Sequence, residues 1–193
     1  MPQIHESAFV AESVELYGEI EIGPQVSVWP KCVIRAEANH VKVGRLSNLQ
    51  DFVMVHIGYE AVTEIGEFCS ITHHATVHGA VIEDHCLIGI NAVVMDDAVI
   101  GRGSIVAPGA VVTEGTVIPE HSIVAGVPAK VIKQRDCARE NRANAWQYYR
   151  NMRAFQRGDH RSWDGEKFWS WVKWIREEIE ADRDLEPGFD PRV

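Results

Sequence analysis

The sequence predicts an all-β solenoid, a parallel β-helix of hexapeptide repeats, followed by C-terminal α-helices. Aliphatic residues recur every six positions through about two-thirds of the chain, and a small or modest side chain follows most of them four positions later. After the last hexad, aromatic and aliphatic residues recur at helical spacing instead. A fixed short period of this kind is typical of a solenoid, in which each repeat buries its apolar side against its neighbours.

The repeat is defined by its anchors, the aliphatic residues that start each hexad. One five-residue step separates Val77 from Ile82, and the register breaks at 35–42 and 57–64. The frame otherwise holds at Ile22, Val28, Ile34, Val43, Leu49, Val55, Ile65, Ile71, Val77, Ile82, Ile88, Val94, Ile100, Val106, Val112, Ile118 and Val124. We expect each hexad to form one short strand and a corner, with three hexads to a coil and coils stacked about 4.8 Å apart.

Small residues at the fifth hexad position are expected to point inward near the corners. Cys32, Cys69 and Cys86 occupy this position, so we interpret them as small core residues rather than as a disulfide framework. Cys137 lies beyond the repeat and is interpreted as a helix residue.

We expect a β-helix domain over residues 1–126 and a helical extension over 127–193, packed on the β-helix or on a neighbouring subunit. The spacing predicts one helix over roughly 134–157, ended by Gly158, and a second over about 165–183 with Phe168 and Ile175 on its apolar face. A lid over the site or a partner-binding surface is the alternative role for this Trp-rich tail. Leu185 to Val193 is expected to fray.

Composition excludes several classes of function. The formal net charge of −9 does not suit binding to nucleic acid or to an anionic membrane, and no long apolar run predicts a membrane span. Residues Met1 to Ser13 lack the layout of a signal peptide, so we expect a cytoplasmic protein.

The hexad frame places two histidines in one column. His56 and His78 each follow an anchor, and the two anchors are three hexads apart, so these histidines stack one coil apart and face outward. Arg35 belongs to the same column. Two imidazoles at strand spacing can share a metal with about 2.0–2.1 Å to each nitrogen.

His73 falls on the preceding face, in a second column below Gln50 and Asp51. Two outward columns on different faces converge most simply when a symmetry-related copy presents one of them to the other. The frame therefore suggests a metal between subunits. His74 is the alternative ligand to His73 and is otherwise expected to support His78. The remaining histidines are expected on solvated turns or loops: His5, His40, His85, His121 and His160.

The combined motifs resemble the γ-class carbonic anhydrase-like family. That family has an Arg-x-Asp element, a Gly-x-x-Ser/Thr-Asn-x-Gln-Asp run, a histidine five residues later, and a His-x4-His-Gly pair. This chain reads Arg35-Ala36-Glu37, then Gly44 through Asn48, Gln50 and Asp51, then His56, and finally His73 through His78-Gly79. The resemblance covers roughly residues 8 to 133 and implies a left-handed β-helix in a homotrimer.

The resemblance implies a metal-dependent lyase that converts CO₂ to bicarbonate reversibly with a metal-bound hydroxide at a subunit interface. His56 and His78 of one subunit and His73 of its neighbour would bind Zn²⁺, with Fe²⁺ or Co²⁺ possible. Three neutral nitrogens and an open position are typical of a catalytic zinc site.

Other site residues also take roles from the family. Gln50 would orient the water or the substrate, and Asn48 would help to shape the site. Arg35 and Asp51 would form an ion pair across the interface. This chain departs from the pattern at Glu37, where the family has aspartate.

A second departure concerns proton transfer. The most active family members have glutamates on acidic loops, whereas this chain has Ala38 at one such position. The short 57–64 segment offers only Glu60 and Glu64. The resemblance therefore implies an enzyme of low turnover.

Two other classes of function fit parts of the sequence. A CoA-linked acyltransferase or thioesterase of the same superfamily is suggested by the segment Ala125 to Lys130, but such transferases usually use one histidine as a general base. A non-catalytic trimeric scaffold would use the Trp-rich tail as a docking surface. The three-histidine set favours the metal-dependent lyase.

Overall fold

The computed structural model describes residues 1–181, which form a parallel β-helix with two C-terminal helices. The strands, numbered in chain order, are β1 Gln3–Ile4, β2 Phe9–Val10, β3 Glu15–Ile22, β4 Ser27–Val28, β5 Val33–Val43, β6 Asn48–Leu49, β7 Met54–His56, β8 Thr63–Ile65, β9 Ser70–Ile71, β10 Thr76–His78, β11 Val81–Ile82, β12 Leu87–Ile88, β13 Val93–Val94, β14 Val99–Ile100, β15 Ile105–Val106, β16 Val111–Val112, β17 Val117–Ile118, β18 Ser122–Ala125 and β19 Lys130–Gln134. The helices are α1 Ala138–Phe155 and α2 Glu166–Ala181.

The strands build the three faces of a prism. Face one runs through the start of β5 and then β7, β10, β13 and β16, and face two runs through the end of β5 and then β8, β11, β14 and β17. Face three contains β2, β4, β6, β9, β12, β15 and β18. Within each face, neighbouring strands pair in parallel from one coil to the next, so the predicted solenoid is confirmed.

The core is the stack of anchors inside the prism. Every anchor from Ile22 to Val124 is buried, at most 4% exposed, and together they form one continuous hydrophobic cluster. The small residues at the fifth position are buried beside them, including the three repeat cysteines, and all four cysteines of the chain are free. The hexad pattern is therefore explained by burial of one side chain per strand with little space left at each corner.

The two register breaks have different structures. Residues 35–42 lie within the continuous strand β5, which turns the corner from face one to face two with a bulge opposite Gly18 and Glu19 of β3. His40 is therefore a strand residue, not a turn or loop residue as predicted, because β3 continues the pairing beyond the bulge. Residues 57–62 form a short loop that Asn39 ties down by donating hydrogen bonds to the carbonyls of Gly58 and Tyr59.

The end of the solenoid differs from the prediction. Residues Lys130–Gln134 form β19, which pairs antiparallel with β18, so the first helix begins at Ala138 rather than near residue 134. Gly126, with φ of +98°, reverses the chain before this strand. Cys137 is the residue that precedes the helix rather than part of it.

The helices cover face three. Helix α1 packs on β4, β6 and β9, and α2 packs on α1. Ile175 and Ile179 of α2 join Phe68 and Trp146 in a second buried cluster. The predicted apolar face of α2 is confirmed, since Phe168, Val172, Ile175 and Ile179 are its buried residues. The predicted frayed end at Leu185–Val193 lies outside the described residues.

A second histidine, His85, was also assigned wrongly from the sequence. His85 occupies a corner with φ of +59°, as a turn residue would, but it is fully buried rather than solvated. Its ring stacks on Phe68 at 5.2 Å between centroids, and Asn141 of α1 donates a hydrogen bond to its carbonyl. The cause is tertiary, because α1 lies over this corner.

Candidate metal centre

The histidine column on face one has the predicted register. His56 of β7 lies directly opposite His78 of β10, and Arg35 of β5 lies opposite His56 on the other side. Nδ1 of His56 is 2.9 Å from Nε2 of His78, and the ring centroids are 4.9 Å apart. Both side chains are partly exposed, at 20% and 31%. Two ring nitrogens therefore converge at the surface of the prism.

Each histidine of this pair has a carboxylate on its other nitrogen. Nε2 of His56 is 3.1 Å from Oε2 of Glu37, and Nδ1 of His78 is 2.8 Å from Oδ1 of Asp96. Glu37 also accepts a 2.5 Å hydrogen bond from Nη1 of Arg35. Partial desolvation raises the pKa of Glu37, but its own backbone amide and the charges of Arg35 and His56 outweigh this, and the net effect is a lowered pKa.

His73 occupies a different corner, after β9 of face three. Its Nδ1 is 3.1 Å from Oδ2 of Asp51, and its Nε2 is 3.5 Å from the hydroxyl of Tyr148 in α1. Burial, followed by the nearby charge of Asp51, raises the pKa of Tyr148 to about 12, so this hydroxyl stays protonated at neutral pH. His73 thus also has one nitrogen on a carboxylate, as His56 and His78 do.

A single chain does not assemble the three histidines. Within residues 1–181, no group of three or more His, Cys, Asp or Glu side chains is arranged to hold a metal ion. His73 belongs to the end of face three, whereas His56 and His78 belong to face one. His74, the alternative ligand, has φ of +60° and stacks its exposed ring on Phe52 at 4.7 Å, on the corner between the two faces.

The predicted Gln50 and Asn48 lie under α1 in a buried polar chain. Nε2 of Gln50 donates to Oδ1 of Asn48 at 2.9 Å, and Nδ2 of Asn48 donates to Oγ of Ser70 at the same distance. Ser70 in turn donates to Oδ1 of Asn144 in α1 at 2.8 Å. Gln50 is only 2% exposed. Its amide orientation is therefore set by contacts that include the C-terminal helix.

The positions of two residues in this region, Tyr148 and Asp96, were not predicted from the sequence. Tyr148 lies within the predicted first helix, but nothing in the pattern shows that α1 brings its hydroxyl to His73. Asp96 follows Met95 in the hexad that starts at Val94, and the register places Val94 opposite Val77. That register alone could have placed Asp96 one position beyond the residue opposite His78.

The donor set fits a divalent transition metal. Three imidazoles, each with a carboxylate on one ring nitrogen, leave one nitrogen each for a metal, which is the usual environment of histidine ligands. Two nitrogens bound to one tetrahedral zinc lie about 3.3 Å apart, close to the separation in the His56–His78 pair. The fold and these residues define a hexapeptide-repeat protein with a candidate three-histidine metal centre.

Comparison with known proteins places the chain more closely. It is 47% identical over 131 residues to a protein of Methanocaldococcus jannaschii named probable carbonic anhydrase, spanning 68% of this chain and 82% of that protein. It is 33% identical to γ carbonic anhydrase 2, mitochondrial, of Arabidopsis thaliana, over 69% of this chain and half of the plant protein. The chain therefore belongs to the γ-class carbonic anhydrase-like family, and the sequence-based prediction of a carbonic anhydrase-like enzyme is confirmed at the level of that family.

Other matches agree on the fold. Residues 79–114 match the family described as bacterial transferase hexapeptide (six repeats). A hexapeptide transferase family protein from Anaplasma phagocytophilum superposes with a TM-score of 0.76 at 29% identity, covering 80% of this chain and 92% of that one. An N-acyltransferase, AntD from Bacillus cereus, superposes with a TM-score of 0.61 over 66% of this chain and 80% of its own, and at 22% identity shows the fold alone. No helix within residues 1–181 is long and apolar enough to span a bilayer.

Proposed function

We propose that this protein is a metal-dependent carbonic anhydrase that interconverts CO₂ and bicarbonate at the interfaces of a homotrimer. The observation that carries the proposal is the pair of converging nitrogens on His56 and His78, 2.9 Å apart, each ring backed by a carboxylate. His73 of a neighbouring subunit is the third ligand. A closed threefold arrangement gives each interface one such set.

The metal we favour is Zn²⁺, with Fe²⁺ or Co²⁺ as substitutes that the same nitrogens accept. When bound, it supplies Lewis-acid chemistry by lowering the pKa of a coordinated water to about 7. The chain supplies the rest. Glu37, Asp51 and Asp96 each accept the proton on the outer nitrogen of a histidine, so the inner nitrogen keeps its lone pair.

The polar residues near the histidines are the ones that would orient the substrate. The family resemblance implies that Gln50 orients the water or the substrate, and in this chain its buried amide is held by Asn48. Arg35 and Asp51 are each paired within the chain, to Glu37 and His73, and we propose that they also approach one another across the interface. The Tyr148 hydroxyl beside His73 adds a neutral donor at that edge.

Stopped-flow CO₂ hydration tests this function directly. Zinc-loaded protein should accelerate hydration above the buffer rate, chelation should abolish that acceleration, and Zn²⁺ should restore it. His74→Ala serves as the matched control, because its ring stacks on Phe52 at 4.7 Å. Metal-loaded protein that does not hydrate CO₂, or activity that survives complete chelation, would contradict the proposal.

A CoA-linked acyltransferase is the second candidate, because a hexapeptide transferase family protein from Anaplasma phagocytophilum is 29% identical to this chain and covers 80% of it. The two functions make different demands on the histidines. An acyltransferase needs a single histidine as a general base, whereas a metal centre needs several histidine nitrogens that converge, as those of His56 and His78 do. Calorimetric titration with acetyl-CoA separates them: we expect no binding, and micromolar binding would favour the transferase.

A further inference from the structure

Asp96 stands one coil beyond His78 on face one, just after β13. Its Oδ1 is 2.8 Å from Nδ1 of His78, and its side chain is 25% exposed. The carboxylates that face the other two histidines are more exposed, at 48% for Glu37 and 38% for Asp51. Asp96 is therefore the most enclosed of the three carboxylates.

Two glycines make the space that this carboxylate occupies. A Cβ added at Gly79 would lie 2.1 Å from Oδ1 of Asp96, and one added at Gly58 would lie 2.3 Å from the same oxygen. Both distances are too short for any real contact. Gly58 follows His56 by two residues and Gly79 follows His78 directly, so the glycine after each histidine on face one leaves room for the same oxygen.

The backbone around Asp96 is also held in place. The amide of Asp97 donates to the carbonyl of Gly79 at 2.7 Å, and the amide of Gly115 donates to the carbonyl of Asp96 at 2.8 Å. The amide of Gly79 donates to the carbonyl of His56 at 3.0 Å. These bonds connect four successive coils. The five-residue step after Val77 is part of this arrangement, because it shortens the turn that follows His78.

We propose that Asp96 is a positioning residue of the metal centre, held by Gly58 and Gly79 so that it accepts the Nδ1 proton of His78. That hydrogen bond fixes the tautomer in which Nε2 carries the lone pair, and Nε2 is the nitrogen that faces His56. A fixed tautomer and ring orientation favour metal binding, and loss of such a partner typically weakens it about 10- to 100-fold. The part of this inference that concerns metal rests on the proposed function.

The first test is zinc affinity, measured by competition with a chromophoric chelator on the full-length protein. Asp96→Ala should bind Zn²⁺ about 10- to 100-fold more weakly than the unsubstituted chain. Asp96→Asn should lose less, since its amide oxygen still accepts the hydrogen bond without the charge. Asp97→Asn is the matched control, because Asp97 is the exposed neighbour and should leave affinity unchanged.

Substitution of Gly58 is an independent test of how the Asp96 carboxylate is held in place. Gly58→Ala should weaken zinc binding by displacing Asp96, and adding Asp96→Ala should then cost less than it does alone. Such non-additivity identifies residues that act through one another. Fully additive effects would show that Gly58 acts on the loop rather than through Asp96.

Nitrogen NMR of the metal-free protein measures the tautomer of His78 directly. His78 should be the Nδ1–H tautomer in the unsubstituted chain and should shift toward Nε2–H in Asp96→Ala, with His78→Ala used for assignment. A zinc affinity unchanged in Asp96→Ala, with melting temperature also unchanged, would overturn the inference. If the unsubstituted chain bound no zinc, the proposed function would fail, while the tautomer would still decide whether Asp96 positions His78.

Discussion

His56 and His78 face each other across neighbouring parallel strands, with Nδ1 of the first 2.9 Å from Nε2 of the second. They are 22 positions apart in sequence, and the chain between them includes the 57–62 loop, which leaves face one and returns on face two without changing the pairing. Stacking of coils, rather than closeness in sequence, brings these nitrogens together. The loop can therefore vary in length or sequence while the histidine pair persists.

Removing any one ligand should abolish stoichiometric metal binding. His56→Ala, His73→Ala and His78→Ala each delete one of the three nitrogens that we propose as ligands, and three-ligand sites tolerate that loss poorly. His74→Ala should retain most of the metal, because the His74 ring stacks on Phe52. Metal content of the four purified variants, by atomic spectroscopy, checks this. Retention by His73→Ala together with loss by His74→Ala would move the ligand assignment by one residue.

Turnover should rise with the concentration of an added buffer such as imidazole. Glu37 is the acidic residue beside His56, but Ala38 stands where the family resemblance implies a glutamate, and the 57–62 loop has only Glu60. An external buffer then carries the proton away. Steady-state CO₂ hydration at fixed pH and increasing buffer measures this. Ala38→Glu should reduce the dependence of the rate on buffer concentration. A rate that is independent of buffer concentration in the unsubstituted chain would show that proton transfer is not limiting.

Helix α2 should contribute measurably to stability through Ile175. This side chain is 1% exposed and packs in the cluster that contains Phe68 and Trp146. Truncation of a buried isoleucine to alanine costs about 2–5 kcal/mol, so Ile175→Ala should lower the unfolding midpoint.

Trp169→Ala provides the control for that substitution. Trp169 is 65% exposed, and surface substitutions usually change stability by less than about 0.5 kcal/mol. Thermal unfolding followed by circular dichroism compares the two variants. Equal midpoints for Ile175→Ala and the unsubstituted chain would mean that α2 does not pack on the β-helix in solution.

The cysteines should be inert in the folded protein. Burial raises the pKa of Cys32 to about 12 and raises that of Cys69 well above its ordinary value. An unfolded thiol titrates near 8.5, so the neutral thiols support folding fully below about pH 8.5, and that contribution declines as the pH rises above it. Reaction with Ellman's reagent at pH 8 should be negligible until denaturant is added. Rapid reaction of the native protein would contradict this burial.

Much of the fold followed from the sequence because burial in a solenoid is local and periodic. Each anchor packs against residues one coil away, so a six-residue count is enough to place Val55 over Val77 and hence His56 over His78. The same count failed for His85, whose burial comes from α1 rather than from the repeat. It also gave no sign of β19, since that strand reverses direction after the solenoid ends.

The supporting residues of the candidate site were harder to predict for the same reason. Tyr148 reaches His73 only because α1 lies on face three, a packing arrangement that no periodicity encodes. Asp96 reaches His78 because two glycines leave space for its carboxylate. Both relationships depend on contacts between segments far apart in the chain, whereas the histidine pair depends on register alone.

Subunit complementation tests the central claim, that each metal centre combines His56 and His78 of one chain with His73 of another. His73→Ala and His78→Ala chains, each unable to hold metal alone, are co-expressed in equal amounts and the whole population of trimers is purified. An interface has all three ligands only when a His73→Ala chain supplies His56 and His78 and a His78→Ala chain supplies His73. Each condition is met in about one half of random pairings, so the trimers should bind about one quarter of the full zinc content. Zinc content at the level of the separate variants would contradict a site shared between subunits.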